Sequence, residues 1–173
     1  MGSPPQTHAP QPGASVTLRP ITAETVRAVC ALAVQPHQAQ FVAPNAVSLA
    51  QALFEPTAWY RAIYADETLV GFVMVDDDAA SQAYSLWRFM VAGAHQGFGF
   101  GRRALDLVVE YVRTRPGATA LFTSYVPGTG GPGDFYAKFG FEETGESDDD
   151  GEVIMRLPLH ATGTLPRETC SRR

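Results

Sequence analysis

The sequence predicts a mixed α/β domain built around one sheet, and three observations lead to this fold class. The chain has 173 residues, the length of one domain. Its 45% hydrophobic and 18% charged residues suit a chain that buries a core. Between polar ends, strand-like and helix-like runs alternate. We therefore expect a disordered leader at residues 1–14, one domain at residues 15–159, and a loose tail at residues 160–173.

The first predicted elements are a strand and two helices. Residues 16–20 have the composition and alternation of a strand. Thr22 can cap a helix that ends before Pro36. A second helix is expected to begin at Ser48, because Ser48 and Gln51 have the spacing of a capping box.

Strands and helices continue to alternate along the rest of the chain. The clearest helix is expected at residues 102–114, where apolar residues recur at i, i+3, i+4 and i+7. A short helix is expected at residues 134–139, and the acidic run at residues 142–150 is expected to lie in a loop. Five further strands, of which the first two form a β-hairpin, are expected at residues 59–65, 69–75, 85–91, 120–125 and 152–157.

Charge and residue supply exclude several classes of protein. With 13 Lys and Arg against 18 Asp and Glu, the net charge of −5 would repel phosphates, so we expect no binding to nucleic acid or membranes. The lone lysine, Lys138, lies in no Walker loop, and a lysine Schiff base would depend on it alone. Cys30, Cys170 and four scattered histidines indicate neither a disulfide framework nor a metal site. Because the chain has no membrane-length apolar run and no signal core, we expect a cytoplasmic protein.

The most informative segment, residues 86–103, is a strand, a glycine-rich loop and the start of a helix. Glycines at alternate positions (Gly97, Gly99 and Gly101) let a ligand approach the backbone closely. Since the loop leads directly into a helix, free N–H groups and the positive end of the helix dipole predict an anion site that suits a pyrophosphate. A Rossmann fingerprint does not fit, because Arg102 stands where its third glycine is required. A plain glycine-rich turn is the competing interpretation.

Two segments of the sequence resemble the signatures of one family. Residues 96–101, Gln-Gly-Phe-Gly-Phe-Gly, resemble the Gln/Arg-x-x-Gly-x-Gly/Ala signature of the GNAT N-acetyltransferases. Residues 135–141, Phe-Tyr-Ala-Lys-Phe-Gly-Phe, resemble that family's second signature, in which a tyrosine precedes x-x-x-Gly-Phe. The resemblance covers residues 16–159. It implies the GNAT fold: a central, mostly antiparallel, twisted sheet flanked by helices, in which a splayed pair of strands binds acetyl-CoA.

The resemblance also implies which residues hold the cofactor. In the family, strand backbone groups contact the pantetheine arm and the acetyl carbonyl, and the loop backbone holds the pyrophosphate. Many relatives place an Asn several residues before the tyrosine, where this chain has a threonine, so that contact is open. The cofactor-binding residues implied are Phe89, Met90, Val91, Gln96, Gly97, Phe98, Gly99, Phe100, Gly101, Arg102 and Thr129.

Tyr136 is the expected catalytic residue. Acetyl transfer from a thioester releases a thiolate, and a phenol within reach of the sulfur can supply its proton. The alternative is a core tyrosine beside Phe135 and Phe139. Because no Ser, Cys or Lys has a recognisable activating partner, we expect direct attack by an amine without an acyl-enzyme.

The acceptor is expected to be a primary amine, with a polyamine favoured. Residues 41–45, 59–64 and 86–90 resemble the spermine/spermidine branch of the family. An amino acid, a drug or a peptide amine, or a non-catalytic acyl-CoA sensor, are the alternatives. Glu55 is a candidate for binding the ammonium and Trp87 for a cation–π wall, against readings as a helix-end carboxylate and a core aromatic. Homodimers are common in the family, but no residue pattern indicates one here.

Overall fold

A computed structural model describes residues 10–159, which form one seven-stranded sheet with helices on both faces. The helices are α1 (Val26–Ala31), α2 (Asn45–Ala52), α3 (Phe100–Arg113) and α4 (Gly133–Phe139), with 3₁₀ helices at Pro36–Phe41 and Gly93–His95. The strands are β1 (Val16–Arg19), β2 (Ala58–Ala65), β3 (Thr68–Asp78), β4 (Ala83–Val91), β5 (Ala120–Tyr125), β6 (Glu142–Ser147) and β7 (Val153–Pro158). The predicted mixed α/β fold class is confirmed.

The sheet has the order β1-β2-β3-β4-β5-β7-β6, and every neighbouring pair is antiparallel except β4 and β5. These two parallel strands pair only through Ser85 with Phe122 and Leu86 with Thr123. Beyond those pairs the strands separate and leave a cleft between them. The splayed strand pair implied by the family resemblance is therefore present.

The core lies on both faces of β3, an interior strand of the sheet. Val73 and Val75 face a cluster that includes the buried face of α3, such as Leu105. Phe72 faces a second cluster beneath α1 and α2. A strand buried on both faces must be apolar at successive positions, and burial from residue 70 to residue 75 meets this requirement.

A β-bulge in β4 lies at the point where the cleft begins. Leu86 pairs with Val75 and Arg88 pairs with Met74, so Trp87 stands between two consecutive pairs without a partner of its own. Leu86 packs in the α3 cluster, whereas Trp87 packs against the cluster under α1 and α2. A bulge re-aims the side chains that follow it.

Three predicted elements differ from the structure. Helix α2 begins at Asn45 rather than Ser48; Ser48 is buried inside the helix, where its hydroxyl donates to the Pro44 carbonyl at 3.4 Å. Helix α1 begins at Val26, four residues after the cap expected at Thr22. The acidic run is not only a loop, because residues 142–147 form β6. This edge strand is exposed throughout, so it lacks the apolar alternation by which strands are recognised.

The ends of the domain are partly described. Residues 1–9 of the expected leader and the whole expected tail lie outside the described residues. Residues 10–14 lie against the start of α3: Ala14 is buried, and Arg103 donates to the carbonyls of Pro12 and Ala14 at 2.7 and 2.8 Å. Within residues 10–159, none of the helices is both long and apolar enough to cross a membrane.

Candidate active site

A cleft of about 820 Å³ opens where β4 and β5 separate. The glycine-rich loop and α4 form one side of it, and residues 38–44 close the other. Three side chains with a full charge line it within the described chain: Arg88, Arg102 and Glu152. The cleft therefore joins a loop suited to an anion with a region that carries charges of both signs.

The glycine-rich loop has the geometry of an anion cradle. Gly97 and Gly99 have φ values of +84° and +77°, a conformation that side chains with a Cβ rarely adopt. No atom lies within 4 Å of a Cβ placed on either residue, so space above the backbone is open. Gly99 is the N-cap of α3, and no side chain caps that end, which leaves its N–H groups available. These features fit the pyrophosphate of acetyl-CoA.

Two side chains hold the loop in this conformation. The Gln96 amide donates to the Val91 carbonyl at 2.9 Å and to Gln38 Oε1 at 2.8 Å, so it joins the loop to β4 and to the first 3₁₀ helix. Arg103 donates to the Phe98 carbonyl at 3.1 Å. Arg103 also joins the loop to the N-terminal segment through the carbonyls of Ala14 and Pro12.

The other residues expected at the cofactor lie at different depths. Phe89 stacks on Phe135 at 5.8 Å, and Met90 is buried under α1 and α2, so these two can offer only backbone groups or a ring face to the cleft. Arg102 is exposed at the rim of the cleft. Phe98 does not line the cleft; it is 38% exposed and stacks on Phe100.

Thr129 lies outside the lining of the cleft. It is exposed in the turn that the Gly131 N–H closes onto the Gly128 carbonyl at 3.0 Å. Gly130, Gly131 and Pro132 line the cleft instead. The loop therefore offers backbone groups to the cleft at this position, and a cofactor contact by Thr129 stays a prediction.

Tyr136 lies at the inner end of the cleft. Its ring is 6% exposed and packs edge-to-face against Phe135 and Phe141, each at 5.5 Å. Burial raises the pKa of Tyr136 to about 12; the nearby charge of Glu152 also raises it, and the Thr123 side chain lowers it. The phenol therefore stays protonated at neutral pH. It is a core tyrosine and a cleft residue at the same time.

Arg88 follows the bulge and lies on the opposite side of the cleft from α4. Its guanidinium donates to the Trp87 carbonyl at 2.8 Å and to Gln51 Oε1 at 3.3 Å, and lies 5.3 Å from the Trp87 ring centre. Nε is buried and has no hydrogen-bond partner among the described residues. Burial lowers the pKa of Arg88, and the charge of Glu152 raises it. Trp87, on which this guanidinium lies, both lines the cleft and packs against the core cluster under α1 and α2.

Glu152 is the residue that sequence reasoning missed. It precedes β7 and reaches the cleft, where Ser124 donates to its carboxylate at 2.5 Å. In the sequence it is one more acidic residue after the run at 142–150, and no spacing marks it out. Only the pairing of β7 beside β5 brings it to the cleft.

Glu55 lies next to the cleft rather than in it. It lines a separate cavity of about 180 Å³ together with Asp76, Ser85 and Trp87. The Thr57 hydroxyl contacts Glu55 Oε1 at 2.9 Å and also contacts Asp76. Glu55 follows the end of α2 at Ala52, and Trp87 lines both the cleft and this smaller cavity.

Comparisons with known proteins agree with this geometry. The model of the acetyltransferase (GNAT) family matches residues 26–141. Spermine/spermidine N(1)-acetyltransferase of Bacillus subtilis (strain 168) is 25% identical over 149 residues, 82% of this chain and 97% of that protein.

Solved structures show the same fold. Spermidine N-acetyltransferase from Vibrio cholerae, in complex with CoA and spermine, aligns with a TM-score of 0.63 and 14% identity, over 83% of this chain and 95% of that one. N-acetylglutamate synthase from Neisseria gonorrhoeae, complexed with coenzyme A and N-acetyl-glutamate, aligns with a TM-score of 0.65 and 19% identity, over 86% of this chain and 36% of that one. Because the family match covers two thirds of the 173-residue chain and the glycine-rich loop fits the cofactor, the chain belongs to the GNAT family and is an acetyl-CoA-dependent N-acetyltransferase.

Proposed function

We propose that the chain transfers the acetyl group of acetyl-CoA to a primary amine of a polyamine, such as spermidine or spermine, with Tyr136 as general acid. The observation that carries the proposal is a buried, protonated phenol in a cleft that begins at an anion cradle. The relative in Bacillus subtilis supports the choice of acceptor. The acidic net charge of −5 would also attract a polycation.

In the proposed mechanism the residues of this chain bind, orient and move protons. Backbone N–H groups of residues 97–102 hold the pyrophosphate, and the end of β4 and the loop at residues 130–132 flank the pantetheine arm. Acetyl-CoA supplies an acetyl thioester. Tyr136 keeps its proton at neutral pH and donates it to the departing sulfur, which a tyrosinate could not do.

The ring of Trp87 is proposed as the wall against which the acceptor chain lies. An ammonium near the ring would gain about 0.5–2 kcal/mol from cation–π attraction. Because Trp87 separates the cleft from the cavity of Glu55 and Asp76, a long polyamine can place a second ammonium near that cavity. Glu55 thus keeps the substrate-binding role expected from the sequence, at the distal end of the acceptor.

A second candidate acceptor is an amine that also carries a carboxylate, such as an amino acid. Arg88 favours it, because this side chain lines the cleft and forms no salt bridge within residues 10–159, so a carboxylate of the acceptor could pair with its charge. The same guanidinium would repel a second ammonium in its vicinity.

An acceptor panel tests the two candidates by following thiol release with spermidine, spermine, a monoamine of similar length and an amino acid. For a polyamine acceptor, Arg88→Met removes a repelling charge and lowers the KM for spermidine about 2- to 5-fold. For an amino-acid acceptor, the same change raises KM about tenfold or more. Arg61→Met is the matched control, since Arg61 also donates to the preceding carbonyl and stacks on a tryptophan, but away from the cleft. Absence of thiol release with every amine would refute the proposed acetyl transfer.

A further inference from the structure

One carboxylate lies in the cleft, and neither family signature contains it. Of the described residues that line the cleft, Glu152 is the only acidic one. A carboxylate in a partly dry site needs a cation or several hydrogen-bond donors. No salt bridge involves Glu152 within residues 10–159. A cationic ligand would therefore satisfy this side chain better than the protein does.

Hydrogen bonds hold Glu152 in a defined position. The Glu152 N–H donates to Asp148 Oδ1 at 2.9 Å, and the Asp148 N–H donates to the Glu152 carbonyl at 3.0 Å, which closes the turn between β6 and β7. The Ser124 hydroxyl then donates to Glu152 Oε2 at 2.5 Å. Oε1 accepts no hydrogen bond from any residue between 10 and 159. One oxygen of a fixed carboxylate is thus free to bind a donor.

Glu152 also lines the same cleft as Tyr136, the proposed proton donor to the thioester sulfur. The negative charge of Glu152 contributes to the raised pKa of the Tyr136 hydroxyl, after the larger effect of burial. On the other side, the same charge acts on Arg88. Arg88, Tyr136 and Glu152 also line the same cleft. If Tyr136 protonates the departing sulfur, a cation bound to Glu152 Oε1 would lie in the same cleft as the thioester.

We propose that Glu152 binds the ammonium group of the acceptor beside the thioester and takes a proton from it, an inference that rests on the acetyl transfer proposed above. An ammonium has no lone pair and cannot attack a carbonyl carbon. A carboxylate first lowers the free energy of the bound cation by ionic attraction and hydrogen bonding, and then accepts the proton that must leave, directly or through one water. This role applies to the amine end of either candidate acceptor.

The protons of the reaction balance with these two residues. Glu152 takes one proton from the ammonium, and the resulting amine nitrogen forms the C–N bond to the acetyl carbon as the C–S bond breaks. Tyr136 gives its proton to the thiolate, and the amine gives up a second proton, which restores Tyr136. Glu152 releases its proton to solvent. The products are one acetamide, one CoA thiol and one proton.

Glu152→Gln tests the proposal, because the amide keeps the size of the side chain but loses its charge and basicity. We expect kcat/KM for a protonated amine to fall about 10²–10⁴-fold at neutral pH. Calorimetry should show unchanged affinity for acetyl-CoA and weaker binding of spermidine to the CoA-loaded protein. Asp149→Asn is the matched control: it makes the same charge change in the same turn, on an exposed side chain that forms no salt bridge within residues 10–159. It should retain wild-type kcat/KM.

A weakly basic amine, neutral at the assay pH, separates proton acceptance from a structural role. With such an acceptor no proton has to be removed and no charge balanced, so the loss caused by Glu152→Gln should shrink toward onefold. It should also shrink for a strongly basic amine as pH rises toward that amine's pKa. The neighbours of Glu152, namely Arg88 of β4, Tyr136 of α4 and Asp148 of the turn, are present in the wild type and in Glu152→Gln. The ratio of their kcat/KM values, compared between the protonated and the neutral amine, therefore reports on Glu152.

The outcomes are distinguishable. Wild-type kcat/KM in Glu152→Gln overturns the inference, and so does an equal loss with protonated and neutral amines, which would mean that Glu152 only supports the turn. If the wild-type protein releases no thiol with any amine, the acetyl transfer itself fails. In that case unchanged spermidine affinity in Glu152→Gln would separately exclude the ammonium site.

Discussion

The two walls of the cleft are built in different ways. The cofactor wall, residues 89–102, is a continuous stretch of strand, loop and helix start. The acceptor wall, formed by Trp87, Arg88, Ser124 and Glu152, collects residues from a bulge, the end of β5 and the turn before β7. The cofactor wall can be recognised as a contiguous sequence motif, whereas the residues of the acceptor wall come together only when the sheet forms.

This difference follows from what each wall is proposed to bind. A pyrophosphate is held by backbone N–H groups and a helix dipole, so the local chain conformation is enough to form the site. Glycines permit this conformation, and their spacing therefore marks the site in the sequence. An amine is held by side-chain charge and by an aromatic face, which any acidic or aromatic residue can supply from any nearby element. The cofactor wall therefore constrains sequence, and the acceptor wall constrains only position.

The largest effect is expected from a change at Tyr136, the proposed general acid in the cleft. Tyr136→Phe removes one hydroxyl and keeps the ring that packs on Phe135 and Phe141. If the phenol protonates the thiolate, kcat should fall about 10²–10⁴-fold. Acetyl-CoA affinity, measured by calorimetry, should change little, because the bond to sulfur matters mainly in the transition state.

Two further measurements check that result. With an acyl donor whose thiol is more acidic, Tyr136→Phe should lose less activity, because a more acidic thiol leaves more readily without protonation. Since the pKa of Tyr136 is raised to about 12, kcat of the wild-type protein should show no decrease near the ordinary tyrosine pKa of about 10. The stabilisation linked to the raised pKa is present below pH of about 10 and is lost as pH rises through about 12. Turnover of Tyr136→Phe at the wild-type rate would leave only a core tyrosine.

The parts of the molecule that the sequence predicts are those determined by local pattern. The amphipathic face of α3 and the glycine-rich loop appear where the apolar period and the alternate glycines indicate. Strand β6 does not, because an exposed edge strand needs no apolar face. The start of α2 was misplaced because Ser48 is buried and bonds back to Pro44, the use of a serine inside a helix rather than at a cap. Glu152 and the bulge at Trp87 depend on pairings far apart in sequence.

A change confined to the cofactor wall should separate the walls. Gly99→Val places a β-branched residue at a φ of +77°, where strain of about 1–3 kcal/mol is expected. The loop can escape this strain only by leaving the conformation that presents its N–H groups. Acetyl-CoA affinity, measured by calorimetry, should therefore fall about 5- to 100-fold. The pH dependence of kcat/KM for the amine, which depends on the acceptor wall, should be retained.

Gly145→Val is the control for this variant. Gly145 has a φ of +84°, and, like Gly99, no atom lies within 4 Å of an added Cβ, but it lies on the exposed edge strand β6. It should lose stability to a similar degree and keep its affinity for acetyl-CoA. Equal affinity in the folded Gly99→Val protein and the wild type would remove the glycine-rich loop from the cofactor site.

The smallest expected effect concerns Gln96, the side chain that links the cofactor wall to residues 38–44, which close the cleft. Its amide bonds to the Val91 carbonyl on the cofactor wall and to Gln38 on the segment that covers the cleft. Gln96→Leu loses both bonds, each worth about 0.5–1.5 kcal/mol, so acetyl-CoA affinity and the acceptor KM should each worsen about 2- to 10-fold. Gln38→Leu keeps the bond from Gln96 to Val91 and should affect the acceptor KM alone. If both variants change both constants equally, the walls respond as one unit, and the separation argued from their construction does not extend to their energetics.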